Sequence, residues 1–282
     1  MTNLYVKRQE LKYYVNSIEA NRMRGLFKKL FLSDNNTKAN NNYLVSSLYF
    51  ENYDDKNLDE KLDGILSRRK YRIRIYNKDH SIIKLENKIK ENNTISKISS
   101  VISKQDSQNL YNLNFKNIKK RSSNLNKMIT YLDVFKYKPK VIVEYEREAY
   151  FLPYNNIRIT FDKNLSSYNN FTDINNIHKG AAVPVINERM ITLEVKFSNE
   201  LPIHLKNILS TLPASRASIG KYVIGQRFMN YKDWRDPLTS IALIISIIII
   251  SIRSIKLSDR YMVPKDGIEP TTQRFSVACS TN

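Results

Sequence analysis

Three short segments of this chain repeat one arrangement: Glu10 and Lys12, Glu86 and Lys88, and Glu194 and Lys196 each stand two residues apart. In a β-strand, residues i and i+2 share a face, so each pair sets a carboxylate beside an ammonium. Arg72 and Arg74 show the same spacing with two cations. Arg158, Thr160 and Asp162 share it further on, and Arg147 lies in a sixth alternating segment. Turned inward on a closed wall, such a set is costly unless it is paired or bound to a ligand. A long anion with a divalent cation would satisfy both signs of charge: Lys and Arg would neutralise phosphoryl oxygens, and glutamates would hold a hard cation through oxygen. That is the equipment of phosphoryl transfer, where positioning and charge stabilisation supply most of the catalysis. The same alternation on a half-exposed sheet would mean only a wet face. The repetition and the clustering of arginine weigh for a polyanion site.

The elements that must position these residues are strands. Residues 5–15 and YLVSSLYFE (43–51) have strand patterns, and KYRIRIY (70–76) alternates strictly. IIKLENKIK (82–90) alternates again after the turn-like 77–81, which predicts an antiparallel hairpin. Further strands are expected in KVIVEYEREAY (140–150), NIRITFD (156–162) and MITLEVKF (190–197). Helices are expected over 17–32, with Ile18, Met23, Leu26, Phe27 and Leu30 as apolar positions, and in 103–135, with Leu110, Leu113, Leu125, Met128, Ile129 and Leu132 as a packed stripe. The acidic NYDDKNLDEKLDG predicts a short helix or lid. Residues 203–212 predict a helix between two prolines, and 216–231 a last helix or strand. Runs of strands with few intervening helices favour an antiparallel α+β architecture over alternating βαβ units.

The bulk properties agree with an anionic ligand without choosing it. Lys and Arg number 46 against 27 Asp and Glu, a net charge of +19 over 282 residues, which favours nucleic acid, anionic lipid or phosphate chains. The chain is rich in Asn, Ile and Lys, so scattered surface lysines say less than the arginines grouped in strands. Cys279 is the one cysteine, which excludes an intrachain disulfide framework and a cysteine-based metal site. His80, His178 and His204 are far apart and belong to no spaced metal or triad pattern. Lys119, Lys120 and Arg121 form a basic cluster whose commoner explanation is a solvated helix face, so no specific nucleic acid is expected.

The stretches RQELKYYV, SSLYFEN, LDGILSRRKYRIRIY, KLENK, VEYEREAY, RITFD, LEVKF and GKYVIG occur in that order over residues 7 to about 226. Together they resemble a VTC-type polyphosphate polymerase domain of the triphosphate tunnel metalloenzyme (CYTH-like) superfamily. The resemblance implies an eight-stranded antiparallel β tunnel with flanking helices. It implies a metal-dependent phosphotransferase that moves the terminal phosphate of ATP onto a growing polyphosphate chain. Carried over by motif, Lys12, Arg72, Arg74, Lys88, Arg147, Arg158, Lys196 and Lys221 would line the anion path. Glu194 would be the main ligand of Mn²⁺ or Mg²⁺, with Glu86 and Glu10 beside it. Two other functions fit the same cage: a metal-dependent tripolyphosphatase or nucleoside triphosphatase, and a polyphosphate-binding module without catalysis. One departure bears on activity: Gly220 precedes Lys221 and Tyr222 where the family has serine, and Ser218 stands two residues earlier.

The resemblance ends near Tyr231, which predicts a domain over 1–232 and an atypical tail over 233–282. Its apolar run LTSIALIISIIIISI (238–252) is short for a membrane span, about 22 Å as a helix against about 30 Å of hydrocarbon. Membrane anchoring and disorder are both open for the tail. The expected location is cytoplasmic, with attachment to the inner face of a membrane if the run anchors.

Overall fold

The computed structural model describes residues 8–33, 42–92, 94–119, 121–168, 173–187, 189–213 and 216–230. The tail and its apolar run therefore lie outside the described residues. Among those described, no helix is long and apolar enough to cross a membrane.

The chain begins with β1 (Gln9–Val15), α1 (Ser17–Leu30), β2 (Leu32–Ser33), β3 (Asn42–Glu51), α2 (Lys56–Leu62), β4 (Arg68–Tyr76), β5 (Asp79–Glu91) and β6 (Thr94–Ile102). It continues through α3 (Lys104–Tyr111), α4 (Ser123–Val134), β7 (Lys138–Leu152), β8 (Ile157–Tyr168), β9 (Ala182–Pro184), β10 (Ile191–Phe197), α5 (Ile203–Ser210) and α6 (Lys221–Asn230). All strands join one antiparallel sheet whose main path runs β1-β10-β8-β7-β3-β4-β5-β6, with β2 and β9 as short additions. The two ends of that path meet: Arg8 and Ile95 exchange backbone hydrogen bonds, both 3.3 Å, so β6 closes onto β1. Eight strands thus form an antiparallel α+β tunnel, as the family resemblance implied.

Closure works because each strand carries two chemistries. In β4, Tyr71, Ile73 and Ile75 are 1 % exposed or less and point outward. They pack with Leu48, Leu85, Leu110, Leu125 and Leu132 in a core beneath α3 and α4. The outer face of β1, β8 and β10 packs Val15, Ile159, Phe161, Leu193 and Val195 against Met23 and Phe27 of α1 and Leu205 of α5. Each such side chain contributes about 1.5–3 kcal/mol when fully buried. The residues between them are thereby forced inward. The β4–β5 register is pinned by a two-residue turn, Asn77 and Lys78, both at positive φ (53° and 56°), which matches the twist of a hairpin.

The third core lies within the tunnel. Here α6 presses Tyr222, Val223 and Ile224 onto Tyr49, Val141, Val143 and Tyr145. Gly225 permits this approach, because a Cβ there would sit 2.8 Å from Val143 Cγ2 and 3.2 Å from Ser167 Oγ. The helix thus fills part of the bore, and the remainder forms the site.

Several expectations change. Helix α1 ends at Leu30, and its buried stripe is Ala20, Met23 and Phe27, while Ile18 is 79 % exposed. A capping box between Asn16 and Glu19 fixes the start of the helix, and that start turns Ile18 away from the sheet. Leu113 is also more exposed than the stripe it was grouped with, because it follows α3 at positive φ. The strand β6, which closes the tunnel, falls in a stretch where no element was expected. Its sequence TISKISSVI places Ser and Lys where an apolar alternation would have marked a strand.

Candidate functional site: the tunnel interior

The inner wall encloses a cavity of about 810 Å³ in which twelve Lys and Arg side chains accompany two glutamates, Glu10 and Glu194. Strand pairing creates this arrangement directly. Lys12 stands opposite Glu194, Glu10 opposite Lys196, and Glu194 in turn opposite Thr160. The i, i+2 pairs of adjacent strands therefore sit in opposite order, and charges of unlike sign meet across the ladder.

Glu194 is the hub. One carboxylate oxygen accepts from Lys221 Nζ at 2.8 Å and the other from Lys196 Nζ at 2.8 Å. Lys12 Nζ and Arg147 Nη2 each lie 3.5 Å away. Lys221 also reaches Asp162 at 2.7 Å, and Asp162 receives a two-pronged hydrogen bond from Arg147 at 2.6 and 2.7 Å. Burial alone would raise the pKa of the Glu194 carboxyl, but Lys196, Lys221, Lys12 and Arg147 outweigh it and hold the group well below the usual carboxylate range. Glu10, bonded to Lys88 at 2.9 and 3.0 Å, is likewise held down to about 2, by Lys88 first and then Lys12 and Lys196, against its burial.

The opposite wall is built around the arginines of β4. Arg72 donates to Glu86 at 2.8 Å and to the Tyr49 hydroxyl at 3.2 Å. Arg74 donates to Ser47 at 3.0 Å and to the Tyr145 hydroxyl at 3.3 Å. These bonds fix the guanidinium planes while leaving both residues on the cavity. Tyr49 packs against Tyr222 with ring centres 5.0 Å apart and planes tilted by 40°, and the Tyr222 hydroxyl donates to Glu51. The start of α6 is thus tied to the wall that carries Arg72.

Most residues singled out from the sequence converge on this cavity: Glu10, Lys12, Arg72, Arg74, Lys88, Arg147, Glu194, Lys196 and Lys221. Two do not line it. Arg158 donates to the Tyr43 hydroxyl at 2.9 Å. Glu86 is fully buried with one oxygen on Arg72 and the other on Lys97, so it orients arginine and is not open to a cation. Gly220 and Ser218 both line the cavity, and Lys61 donates to the Ser218 hydroxyl, which places a hydroxyl near the position where the family has serine. Sequence reasoning passed over Lys61, Arg68, Lys70 and Arg216, which also face the cavity. Lys70 carried a usable signal, since it continues the Arg72–Arg74 face by two residues. Lys61 carried none, because it arrives from a helix. The His80 ring lies 3.2 Å from the Ile174 carbonyl, away from the cavity lining.

A closed antiparallel barrel with a cation-lined bore is the architecture that the family resemblance implied. The chain belongs to the VTC domain family, whose model matches residues 7–230. Among solved structures, it is similar to a putative adenylate cyclase from Bacillus halodurans, at 14% identity and a TM-score of 0.45, covering 74% of this chain and 93% of that one. It is also similar to a putative adenylyl cyclase from Hippeastrum described as having a dominant triphosphatase activity, at 12% identity and a TM-score of 0.46, covering 79% and 96%. A third is the capping enzyme triphosphatase of Mimivirus, at 13% identity and a TM-score of 0.31, covering 73% and 89%. No curated protein sequence matches the chain.

The family implies a divalent cation, and the donor set can be tested for it. Among the described residues, no three His, Cys, Asp or Glu side chains converge as an all-protein metal cage. Glu194 and Glu10 nevertheless offer hard oxygen donors on the cavity surface. Mg²⁺ is commonly held by one or two carboxylates plus substrate phosphates, and not by a dedicated cage. The residues therefore fit a cation that arrives with its phosphates.

Proposed function

We propose that this protein is an ATP-dependent polyphosphate polymerase, transferring the terminal phosphate of ATP to the end of a phosphate chain held in the tunnel. The observation that supports this most is the inward convergence of Lys12, Arg72, Arg74, Arg147 and Lys221 on one enclosed cavity. A surplus of cations with rigid supporting bonds suits a substrate that carries several negative charges in a line.

In this proposal Arg72 and Arg74, held by Glu86, Ser47 and two tyrosines, grip phosphoryl oxygens from one wall. Lys12, Arg147 and Lys221 do so from the other, and each must loosen part of its hold on Glu194 as the anion enters. Glu194, with Glu10, would then hold Mn²⁺ or Mg²⁺, which when bound would neutralise charge on the bridging and terminal oxygens. No side chain need act as a covalent nucleophile, because the acceptor is itself a phosphate oxygen.

The test is a product assay. The full chain is incubated with ATP and Mn²⁺, and the products are resolved on a gel. A ladder of long anionic chains with ADP release is the expected result. Free phosphate without a ladder would assign the protein to the tripolyphosphatase or nucleoside triphosphatase alternative. Tight anion binding with no turnover would leave a polyphosphate-binding module.

A further inference from the structure

The buried carboxylates of this barrel come with cations. Among the described residues, Glu86, Asp106, Glu144, Glu148, Asp162 and Glu194 each have a Lys or Arg nitrogen at 3.5 Å or less. Glu51, at the end of β3 and 1 % exposed, makes no ion pair among the described residues, in a chain that carries 46 Lys and Arg. It does not line the cavity. Burial pushes its carboxyl above the usual carboxylate range, and Asp55 adds to that, against three hydrogen bonds from neutral donors. A buried acid held by neutral donors alone is costly, so its role is something other than charge balance.

The donors show what it holds. Oε1 accepts from the backbone N–H of Asn57 at 2.9 Å and of Asn52 at 3.1 Å, which fixes the start of α2. Oε2 accepts from the hydroxyl of Tyr222 in the first turn of α6. A carboxylate offers an acceptor oxygen to each side, whereas a glutamine offers one oxygen and one NH2 group. The ring held in this way is part of the cavity wall. Its centre lies 5.0 Å from that of Tyr49 and 4.8 Å from the Lys70 ammonium, and the Tyr49 hydroxyl accepts from Arg72. Tyr222 also follows Lys221 directly, whose ammonium reaches Asp162 at 2.7 Å and Glu194 at 2.8 Å. Arg72 belongs to one wall and Lys221 to the other, so the spacing between the two sets of cations depends on where Tyr222 is anchored.

We propose that Glu51 is a positioning residue for phosphoryl transfer: by holding the Tyr222 hydroxyl from behind the cavity wall, it sets the Lys221 ammonium against the Arg72 guanidinium across the tunnel. This rests on the function proposed above and assigns a role in it to a residue that touches no substrate. Binding of an anion with several charges tolerates one displaced ammonium, because neighbouring cations compensate. Transfer needs the reacting oxygens aligned, and a misplacement of about 1 Å costs on the order of 100-fold. Loss of Glu51 therefore falls on kcat and spares affinity.

The experiment uses the full chain as the parent, Glu51→Gln, Tyr222→Phe and the double variant. ATP turnover with Mn²⁺ gives kcat and KM, calorimetry gives tripolyphosphate affinity, and thermal melting reports the fold. Glu51→Gln keeps the size of the side chain and an oxygen for α2 but turns an NH2 group towards Tyr222, while Tyr222→Phe removes the hydroxyl alone. Each single variant is expected to lower kcat by about 10–100-fold and to change tripolyphosphate affinity by less than about threefold. Both act through one bond, so the double variant should lose no more than the worse single one. A Glu51 that only starts α2 would lower the melting temperature and leave kcat at the parent's value, which overturns the proposal. Losses that multiply in the double variant, or an affinity loss as large as the loss in kcat, overturn it too. If Glu51→Gln does not fold, Tyr222→Phe decides: a kcat lowered by about tenfold or more with parental affinity supports the role, and parental kcat overturns it. Free phosphate in place of a ladder changes the assigned product and leaves the role of Glu51 standing, whereas a parent that turns over no ATP overturns both.

Discussion

Replacing Glu194 by Gln isolates the residue around which the empty tunnel is balanced. The carboxylate holds Lys196 and Lys221 at 2.8 Å and stands 3.5 Å from Lys12 and Arg147. After the change, Lys221 and Arg147 keep Asp162, and Lys12 keeps Glu10 at 3.9 Å. Lys196 loses the one ion pair it makes among the described residues. Breaking a buried pair by removing one partner costs about 3–5 kcal/mol, and the surviving partners argue for the lower end, about 3 kcal/mol. For a domain of this size 1 kcal/mol corresponds to roughly 2–4 °C, so Glu194→Gln should lower the melting temperature by roughly 6–12 °C. Tripolyphosphate should then raise the variant more than the parent, because the anion replaces the missing charge. At about 100 times its dissociation constant a ligand adds about 2.7 kcal/mol, enough to recover most of the loss. Adding Mn²⁺ with the ligand should further stabilise the parent and have a smaller effect on the variant. The assay is thermal melting followed by circular dichroism, with and without tripolyphosphate and Mn²⁺. A variant that melts within about 2 °C of the parent, below even one kcal/mol on the same scale, would refute the claim that this carboxylate balances the bore.

The same carboxylate sets a pH dependence. Its folded-state pKa lies well below the reference of 4.5, so its contribution is present above pH 4.5 and is lost as the pH falls below that value. The parent should destabilise in acid more steeply than Glu194→Gln when both are melted across pH 3–6, a window set by that shift. The double variant Arg72→Ala/Arg74→Ala removes two donors worth about 1.5–3 kcal/mol each. It should bind tripolyphosphate at least about 100-fold more weakly by calorimetry, and a variant that binds as the parent does would show that β4 does not carry the anion. Gly225→Ala would place a Cβ 2.8 Å from Val143 Cγ2 and should cost about 1–3 kcal/mol as overpacking between α6 and β7, visible as a lower melting temperature. Affinity for polyphosphate should fall as the pH rises through about 8, because Lys61, which lines the cavity, loses its proton there. Titrations at successive pH values would show this.

The strand faces were legible in the sequence because period-two alternation assigns each side chain a side, while the closed tunnel was legible only through the ordered motifs that resemble a known family. KYRIRIY has apolar residues that must find a core, so its arginines must go the other way. The same logic set Glu10 beside Lys12 and Glu194 beside Lys196, each pair on one face of its strand, before any strand was paired. What the pattern does not contain is which faces meet. Asp162 became important only when β7 and β8 set it opposite Arg147, and Glu86 turned from an expected cation ligand into a partner of Arg72 and Lys97 for the same reason. Strand β6 was missed because its inner residues, Lys97 and Ser99, are polar and its outer ones include Ser96 and Ser100. It is held mainly by backbone pairing with β5 and by closure at Arg8. Lys61 was illegible because it reaches the cavity from α2, a helix, and so leaves no trace in the period-two pattern of the strands.

The claim at the centre of this account is that one enclosed, cation-lined bore receives the phosphate chain. A crystal structure of the full chain with tripolyphosphate and Mn²⁺ tests it most directly. The predicted result is phosphate density inside the barrel within hydrogen-bonding reach of Arg72, Arg74, Lys12 and Lys221, with the cation beside Glu194. Phosphates bound on the outer surface, with the interior ion pairs of Glu194 unchanged, would contradict it.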